Sequence, residues 1–151
     1  MDPEIPGAVE LMTDAPVFVW PVRVYYEDTD AGGIVYYANY LKFMERARTE
    51  WLRHYGIDLR ALAAQGQMMF VVRSAKLDFL QPARLGDALE VSVEVIRRRP
   101  ASVTLRQQVA SVEKVLCAGE IRLACVEPVS LRPCALPSFI QEGKNTPRTK
   151  L

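Results

Sequence analysis

Residues 22–56, VRVYYEDTDAGGIVYYANYLKFMERARTEWLRHYG, hold the pattern that decides the fold. The stretch opens with Val22 and Val24 alternating with Arg23 and Tyr25, which is the spacing of a half-buried strand. Several Asp and Gly residues come next, and both residue types favour turns because of their backbone preferences. The pattern therefore predicts a strand that ends in a carboxylate-rich loop.

From about Ala38 the same stretch takes the period of a helix. Apolar side chains recur at helical intervals and would form one buried face: Tyr40, Met44, Ala47, Trp51 and Tyr55. Asn39 is a candidate N-cap, and Gly56 is a candidate helix stop. We predict one core helix over residues 38–55, about 18 residues and roughly 27 Å long.

The rest of the chain favours strands. Runs with alternating or β-branched apolar residues predict a first strand at 17–26 and later strands at 68–80, 89–95, 102–112 and 115–126, with a short helical turn at 58–64. Pro21 in the first strand implies an edge position or a bulge, because proline cannot donate to a neighbouring strand. Three later prolines discourage further regular structure after the last strand. One amphipathic helix across an antiparallel sheet, an α+β fold, is the simplest arrangement.

Composition and charge narrow the class of protein. At 151 residues, half of them apolar and a quarter charged, the chain fits a single globular domain at 17–140, with a flexible arm at 1–16 and a disordered tail at 141–151. The net charge of +1 argues against broad nucleic-acid binding. No apolar run approaches the ~20 residues of a membrane span, and the start of the chain does not have the pattern of a secretory signal.

Cysteine usage predicts the compartment. Cys117, Cys125 and Cys134 are odd in number and lack paired short spacing, so neither a disulfide framework nor a zinc site is indicated. We expect a cytoplasmic protein that needs no metal or redox cofactor.

The carboxylates of the loop are the first candidates for chemistry. Asp28 and Asp30 precede a predicted helix N-terminus, whose unpaired N–H groups can bind a carboxylate or a polarised carbonyl oxygen. A carboxylate beside such a site suggests attack on an acyl group. On spacing alone, however, a helix cap is the more ordinary role for Asp30.

The segment YYEDTDAGGIVYYANY, residues 25–40, resembles the signature of the hotdog-fold acyl-CoA thioesterases. It is most similar to the YbgC group, which is associated with the Tol–Pal system, and to the 4-hydroxybenzoyl-CoA thioesterases. The likeness covers roughly residues 18–140 and includes WPVRV at 20–24, ERARTE at 45–50, FVVR at 70–73, PARL at 82–85 and ALP at 135–137.

The resemblance implies a hotdog fold, one long central helix wrapped by a five- to six-stranded antiparallel sheet, with active sites at the interface of a dimer. It implies that Asp30 is the catalytic carboxylate and that the backbone N–H of Tyr37 polarises the thioester carbonyl. Many YbgC-like members carry His where this chain has Tyr37. A backbone donor does not depend on its side chain, so the change bears on substrate choice.

Further residues of the expected site follow from the same resemblance. Gly33 and Tyr36 are expected to contact the substrate, and Arg97, Arg98 and Arg99 match a basic turn that meets the phosphates of coenzyme A. The expected partners are acyl-CoA, or an acyl carrier protein in its place, and further copies of the chain in a homodimer or homotetramer. An open sheet edge independently favours oligomerisation.

Several alternatives stay open at the level of sequence. Asp30 could act as a general base or as a nucleophile, and Asp28 is expected to hold the loop. A dehydratase would need a histidine near the substrate, and the chain has only His54, at the far end of the predicted helix. A non-catalytic acyl-CoA-binding or scaffold module on the same fold is the main rival to a thioesterase.

Overall fold

The structure is a computed structural model, which describes residues 17–112 and 114–142. The expected arm at 1–16 and all but the first two residues of the expected tail at 141–151 lie outside these residues. The helices and strands are β1 (Phe18–Arg23), α1 (Asn39–His54), α2 (Leu59–Gln65), β2 (Met69–Phe79), β3 (Ala88–Arg98), β4 (Ser102–Ser111), β5 (Lys114–Val126) and α3 (Ser138–Gln141).

The five strands form one antiparallel sheet in the order β1-β3-β4-β5-β2. Helix α1 lies across β1, β3 and β4, so the sheet wraps around a single long helix. Strand β1 is at one edge, as Pro21 predicts. Strand β2 is at the other edge and pairs only with β5 among the described residues. This arrangement confirms the predicted α+β hotdog architecture.

The predicted face of α1 is the buried one. Tyr40, Met44, Ala47 and Trp51 are buried, and Tyr55 is half-buried just beyond the helix. These side chains join the inward-facing valines and leucines of β3, β4 and β5 in one core. Burial of each large apolar side chain contributes about 1.5–3 kcal/mol, so packing fixes the helix on the sheet.

One buried polar connection also ties α1 to the sheet. Gln107 of β4 is fully buried, and its amide nitrogen donates to the carbonyl oxygens of Met44 in α1 and Ser92 in β3, each at 3.1 Å. Its amide oxygen accepts a 2.9 Å hydrogen bond from the guanidinium of Arg48. Burial lowers the pKa of Arg48, and the nearby carboxylate of Glu45 acts in the opposite direction.

The ends of α1 differ from the prediction at the N-terminus and agree with it at the C-terminus. Asn39 is the first helical residue and not the cap, which is Ala38. The Asn39 side chain instead donates a 2.8 Å hydrogen bond to the carbonyl oxygen of Asp28. Gly56 follows the C-cap with a φ of +82°, the left-handed conformation of a helix stop.

The expectation that no regular structure follows β5 is wrong. Helix α3 forms one turn there, with Pro137 at its N-cap and Ile140 buried. A proline is compatible with the start of a helix, where its missing N–H has no intrahelical acceptor.

Candidate active site

The loop between β1 and α1 folds as a small hairpin. Asp30 donates its N–H to the carbonyl of Ile34 at 2.9 Å, and Tyr36 donates to the carbonyl of Asp28 at 3.0 Å. The chain reverses where the Gly33 N–H donates to the Asp30 carbonyl at 3.0 Å. Gly33 has a φ of +79°, which a residue with a side chain adopts only with strain.

Asp28 holds this hairpin in place. Only 6% of the residue is exposed, and its carboxylate accepts a 2.8 Å hydrogen bond from the N–H of Tyr25. Its carbonyl also accepts from the Asn39 side chain, which joins the loop to the start of α1. The predicted structural role of Asp28 matches these contacts.

Asp30 lies two residues further and has a different environment. It is exposed in the single chain, and one carboxylate oxygen accepts a 2.8 Å hydrogen bond from the N–H of Gly32. Among residues 17–112 and 114–142, no donor bonds the other oxygen. That oxygen can therefore accept a proton or attack an electrophile.

Tyr37 supplies a free backbone donor at the start of α1. Within the described part of the chain, the Tyr37 N–H has no hydrogen-bond acceptor, while its carbonyl accepts from Tyr40 at 3.4 Å. The helix dipole adds partial positive charge at this end. Tyr37 is 61% exposed, and its ring meets the ring of Phe79 edge-on, with centroids 5.9 Å apart. The free N–H suits a developing oxyanion.

The hairpin sets the separation between carboxylate and donor. Asp30 lies opposite Ile34, and Tyr37 follows Ile34 by three residues, which corresponds to about 10 Å of extended backbone. The Asp30 carboxylate accepts the Gly32 N–H at the turn, so the carboxylate and the donor belong to one loop.

The three arginines lie far from this loop in the same chain. The loop follows Arg23, which pairs with Ala88 at the start of β3. Arg97 and Arg98 lie at the other end of β3. Ten residues of strand separate these ends by roughly 33 Å. Arg98 also donates a 2.9 Å hydrogen bond to the carbonyl of Ile140 in α3. The loop residues come together in one chain, and the arginines do not join them.

An exposed apolar surface near α1 was missed by sequence reasoning. Phe79 and Val72 of β2 are about half exposed, as are Leu41 of α1 and the ring of Tyr36. A register shift between Val72 and Ser74 interrupts the alternation of β2, so its inner face cannot be read by counting every second residue.

A cavity of about 170 Å³ lies beside this surface, between α1, α2 and strands β2 and β5. It is lined by Glu45, Arg48, Thr49, Leu52, Leu59, Phe70, Val72 and Leu123. Met68 packs against the core and is not part of this lining.

Among the described helices, none has the length and apolar character that crossing a bilayer requires. Within residues 17–112 and 114–142, no group of three or more His, Cys, Asp or Glu side chains is arranged to hold a metal ion.

Comparisons with known proteins agree with the architecture. The sequence model of the thioesterase-like superfamily matches residues 24–143. The acyl-CoA thioester hydrolase YbgC of Escherichia coli is 46% identical over 125 residues, 82% of this chain and 92% of that protein. The acyl-CoA thioesterase YbgC of Haemophilus influenzae is 40% identical over 82% of this chain and 91% of its own length. Among solved structures, a probable thioesterase from Bartonella henselae superposes with a TM-score of 0.76 at 32% identity, over 80% of this chain and 99% of that chain.

Proposed function

The chain belongs to the thioesterase-like superfamily and to its YbgC group, and from this membership we propose that it hydrolyses acyl-CoA to a free acid and a thiol. The observation that carries the proposal is the near full-length match to YbgC, which includes the loop that ends at α1. The free N–H of Tyr37 and the open carboxylate oxygen of Asp30 support it chemically.

In the proposed mechanism, the thioester oxygen accepts a hydrogen bond from the Tyr37 N–H. As the carbonyl carbon becomes tetrahedral, negative charge builds on this oxygen, and the donor and helix dipole stabilise it more than they stabilise the ground state. Loss of one such donor typically raises a barrier by about 2.7–4 kcal/mol. The coenzyme A thiolate is then the leaving group.

Asp30 activates the attack in this mechanism. As a general base, it takes a proton from a water molecule that adds to the carbonyl carbon. As a nucleophile, it forms a mixed anhydride that water then hydrolyses. Neither route needs a metal ion or a redox cofactor, since coenzyme A arrives as part of the substrate.

A second copy of the chain completes the proposed site. The arginines at 97–99 are too distant to meet a substrate bound at Asp30 of the same chain. The phosphates of coenzyme A would therefore contact the arginines at 97–99 of a neighbouring copy. The open edge of β2 and the apolar side chains beside it support a homodimer, with a tetramer as the larger alternative. We propose that this assembly acts in the cytoplasm.

One observation favours a second candidate, a non-catalytic acyl-CoA-binding module. Asp30 is exposed to solvent in the single chain. A binding module would use the apolar surface near Tyr37 and Phe79 without needing the carboxylate.

Measurement of thiol release separates the two candidates. The purified full chain is incubated with acyl-CoA substrates of increasing chain length and with an aromatic acyl-CoA, and the free thiol is followed with a thiol reagent. Matched acyl carrier protein substrates test the carrier. Multiple turnovers with at least one substrate are expected. Saturable binding of acyl-CoA without turnover across the set would overturn the proposal and favour the binding module.

A further inference from the structure

Outside the proposed active site, two cysteine side chains are in contact with each other. The sulfur atoms of Cys125, in β5, and Cys134, in the segment after β5, are 3.3 Å apart. The Cys125 sulfur is also 3.7 Å from the thioether sulfur of Met68. We propose that Cys125 and Cys134 are an oxidation-sensitive pair that closes to a disulfide within the folded chain.

The backbone around the pair already has the geometry that a disulfide needs. The Cys134 N–H donates to the Cys125 carbonyl at 2.9 Å, and Val126 and Pro133 form an antiparallel bridge beside them. The Cys125 N–H donates to the Ala101 carbonyl, so the two cysteines share one backbone hydrogen bond. Residues opposite each other in antiparallel segments have Cα atoms about 4.5–5.5 Å apart. Disulfides span Cα separations of about 4.4–6.8 Å, so side-chain rotation alone can bring the sulfurs into bonding distance.

An ordered turn keeps the two thiols opposite each other. The Glu127 N–H donates to the Arg132 carbonyl at 2.9 Å. The Glu127 carboxylate accepts from the N–H and the hydroxyl of Ser130, and these hydrogen bonds lower its pKa. These hydrogen bonds lie within the turn that joins the two cysteines.

The two cysteines have different access to an oxidant. Cys125 is fully buried, whereas Cys134 is half-buried. Burial is also the main reason that the pKa of Cys125 is raised to about 12, followed by the hydrogen bond to Cys134. The thiolate is the reactive form, so an oxidant reacts first at Cys134.

With hydrogen peroxide as the oxidant, the chemistry balances in two steps. The Cys134 sulfur takes one oxygen atom to give a sulfenic acid, and the first water leaves. The Cys125 sulfur then attacks the sulfenic sulfur, the S–S bond forms, and the Cys125 proton leaves with the hydroxyl as the second water. Two thiols are oxidised by two electrons in all, and one peroxide is reduced to two waters.

The disulfide would fasten the C-terminal segment to the sheet. Beyond Cys134, the side chain of Ile140 is buried, and the ring of Phe139 stacks on Tyr55 with centroids 4.3 Å apart. This segment covers the C-terminal end of α1. Closure of a short loop constrains the unfolded chain and is expected to raise the midpoint of thermal unfolding by roughly 5–10 °C.

Peptide mass analysis tests the proposal. Trypsin does not cleave between Arg132 and Pro133, so the peptide 123–144 carries both Cys125 and Cys134, and Cys117 falls in a different peptide. The reduced full chain is treated with graded hydrogen peroxide, alkylated and digested without reductant. We expect the peptide 123–144 to lose two hydrogens and to resist alkylation, with recovery after addition of dithiothreitol.

Two variants control the experiment. Cys117→Ala removes the remaining cysteine, which is buried elsewhere on β5, and should leave the mass change and the rise in unfolding temperature intact. Cys134→Ser should lose both the mass change and the rise in unfolding temperature. Two alkylatable thiols in the oxidised wild-type peptide, or a disulfide between Cys134 and another chain, would overturn the proposal.

Discussion

Two aspartates separated by a single residue have opposite environments in this chain. Asp28 is buried and accepts the N–H of Tyr25, whereas Asp30 is exposed and keeps one oxygen free of donors among the described residues. The buried carboxylate fixes the loop, and the exposed one is available for chemistry. Residue type alone cannot assign these roles, since both are Asp in a loop before a helix.

We predict that Asp28→Ala lowers the free energy of unfolding by about 1.5–3 kcal/mol, because the partly buried Tyr25–Asp28 hydrogen bond involves a charged acceptor. Urea unfolding followed by circular dichroism measures the change. Glu27→Ala is the matched control, since Glu27 is exposed in the same turn. Equal stability of the two variants would show that Asp28 does not hold the loop.

The sequence predicted some residue roles and could not predict others. The motif at 25–40 led to Asp30 and Tyr37, but the absence of an acceptor for the Tyr37 N–H is a property of the folded loop. Asn39 was expected to cap the helix and instead bonds the carbonyl of Asp28, eleven residues earlier. As an N-cap the Asn39 side chain would accept a backbone N–H, whereas here it donates to a carbonyl. The difference depends on tertiary placement, which single-residue preferences do not contain.

At the level of elements, the contact between α1 and the sheet combines apolar packing with one buried amide. Gln107 bonds a carbonyl of α1, a carbonyl of β3 and the guanidinium of Arg48. Its neighbour Gln108 faces the other side of β4, and its side-chain oxygen is buried with no hydrogen-bond partner among the described residues. Adjacent glutamines thus differ in how well their polar atoms are satisfied.

Replacement of each glutamine by methionine tests this difference. Gln107→Met should lower the free energy of unfolding by roughly 2–4 kcal/mol, because three buried polar groups lose a partner while the side-chain volume is kept. Gln108→Met should change it by less than about 0.5 kcal/mol or stabilise the fold, since it removes an unsatisfied acceptor. Chemical denaturation of both variants measures the effect, and a loss of the same size in both would refute the assignment.

Most helices and strands could be predicted from the sequence because their patterns are local. Helix α1 has a clear apolar period, and β3, β4 and β5 follow at hairpin spacing, so predicted and observed bounds differ by few residues. Helix α3 was missed, because its formation depends on the burial of Ile140 and on the stacking of Phe139 with Tyr55. The irregular register of β2 also concealed its exposed apolar face.

At the scale of the whole molecule, a single chain leaves an edge and an apolar surface open. Strand β2 has a free edge within the described part of the chain, and Val72 on it is 53% exposed. The loop with Asp30 and the turn with the arginines are at opposite ends of the sheet. Both features are explained if a second copy packs along β2.

We predict that Val72→Asp weakens the dimer by at least about 100-fold, or ~2.7 kcal/mol, because it places a charge where the second copy would bury an apolar side chain. Val112→Asp is the matched control, since Val112 is 51% exposed but lies on the turn between β4 and β5. Sedimentation equilibrium over a range of concentrations measures the association. A monomeric wild-type chain, or a Val72→Asp dimer as stable as the control, would rule out this interface.

The most direct measurement is the rate of thiol release by Asp30→Asn, with Glu27→Gln as a control that removes a neighbouring exposed carboxylate. The Asp30→Asn variant should keep its fold, its oligomeric state and its binding of a non-hydrolysable acyl-CoA thioether. Its kcat should fall by about 10²–10⁴-fold, because the group that activates the attack is gone. The Glu27→Gln variant should retain the wild-type rate. Thiol release by Asp30→Asn at the wild-type rate would contradict the catalytic role of this carboxylate.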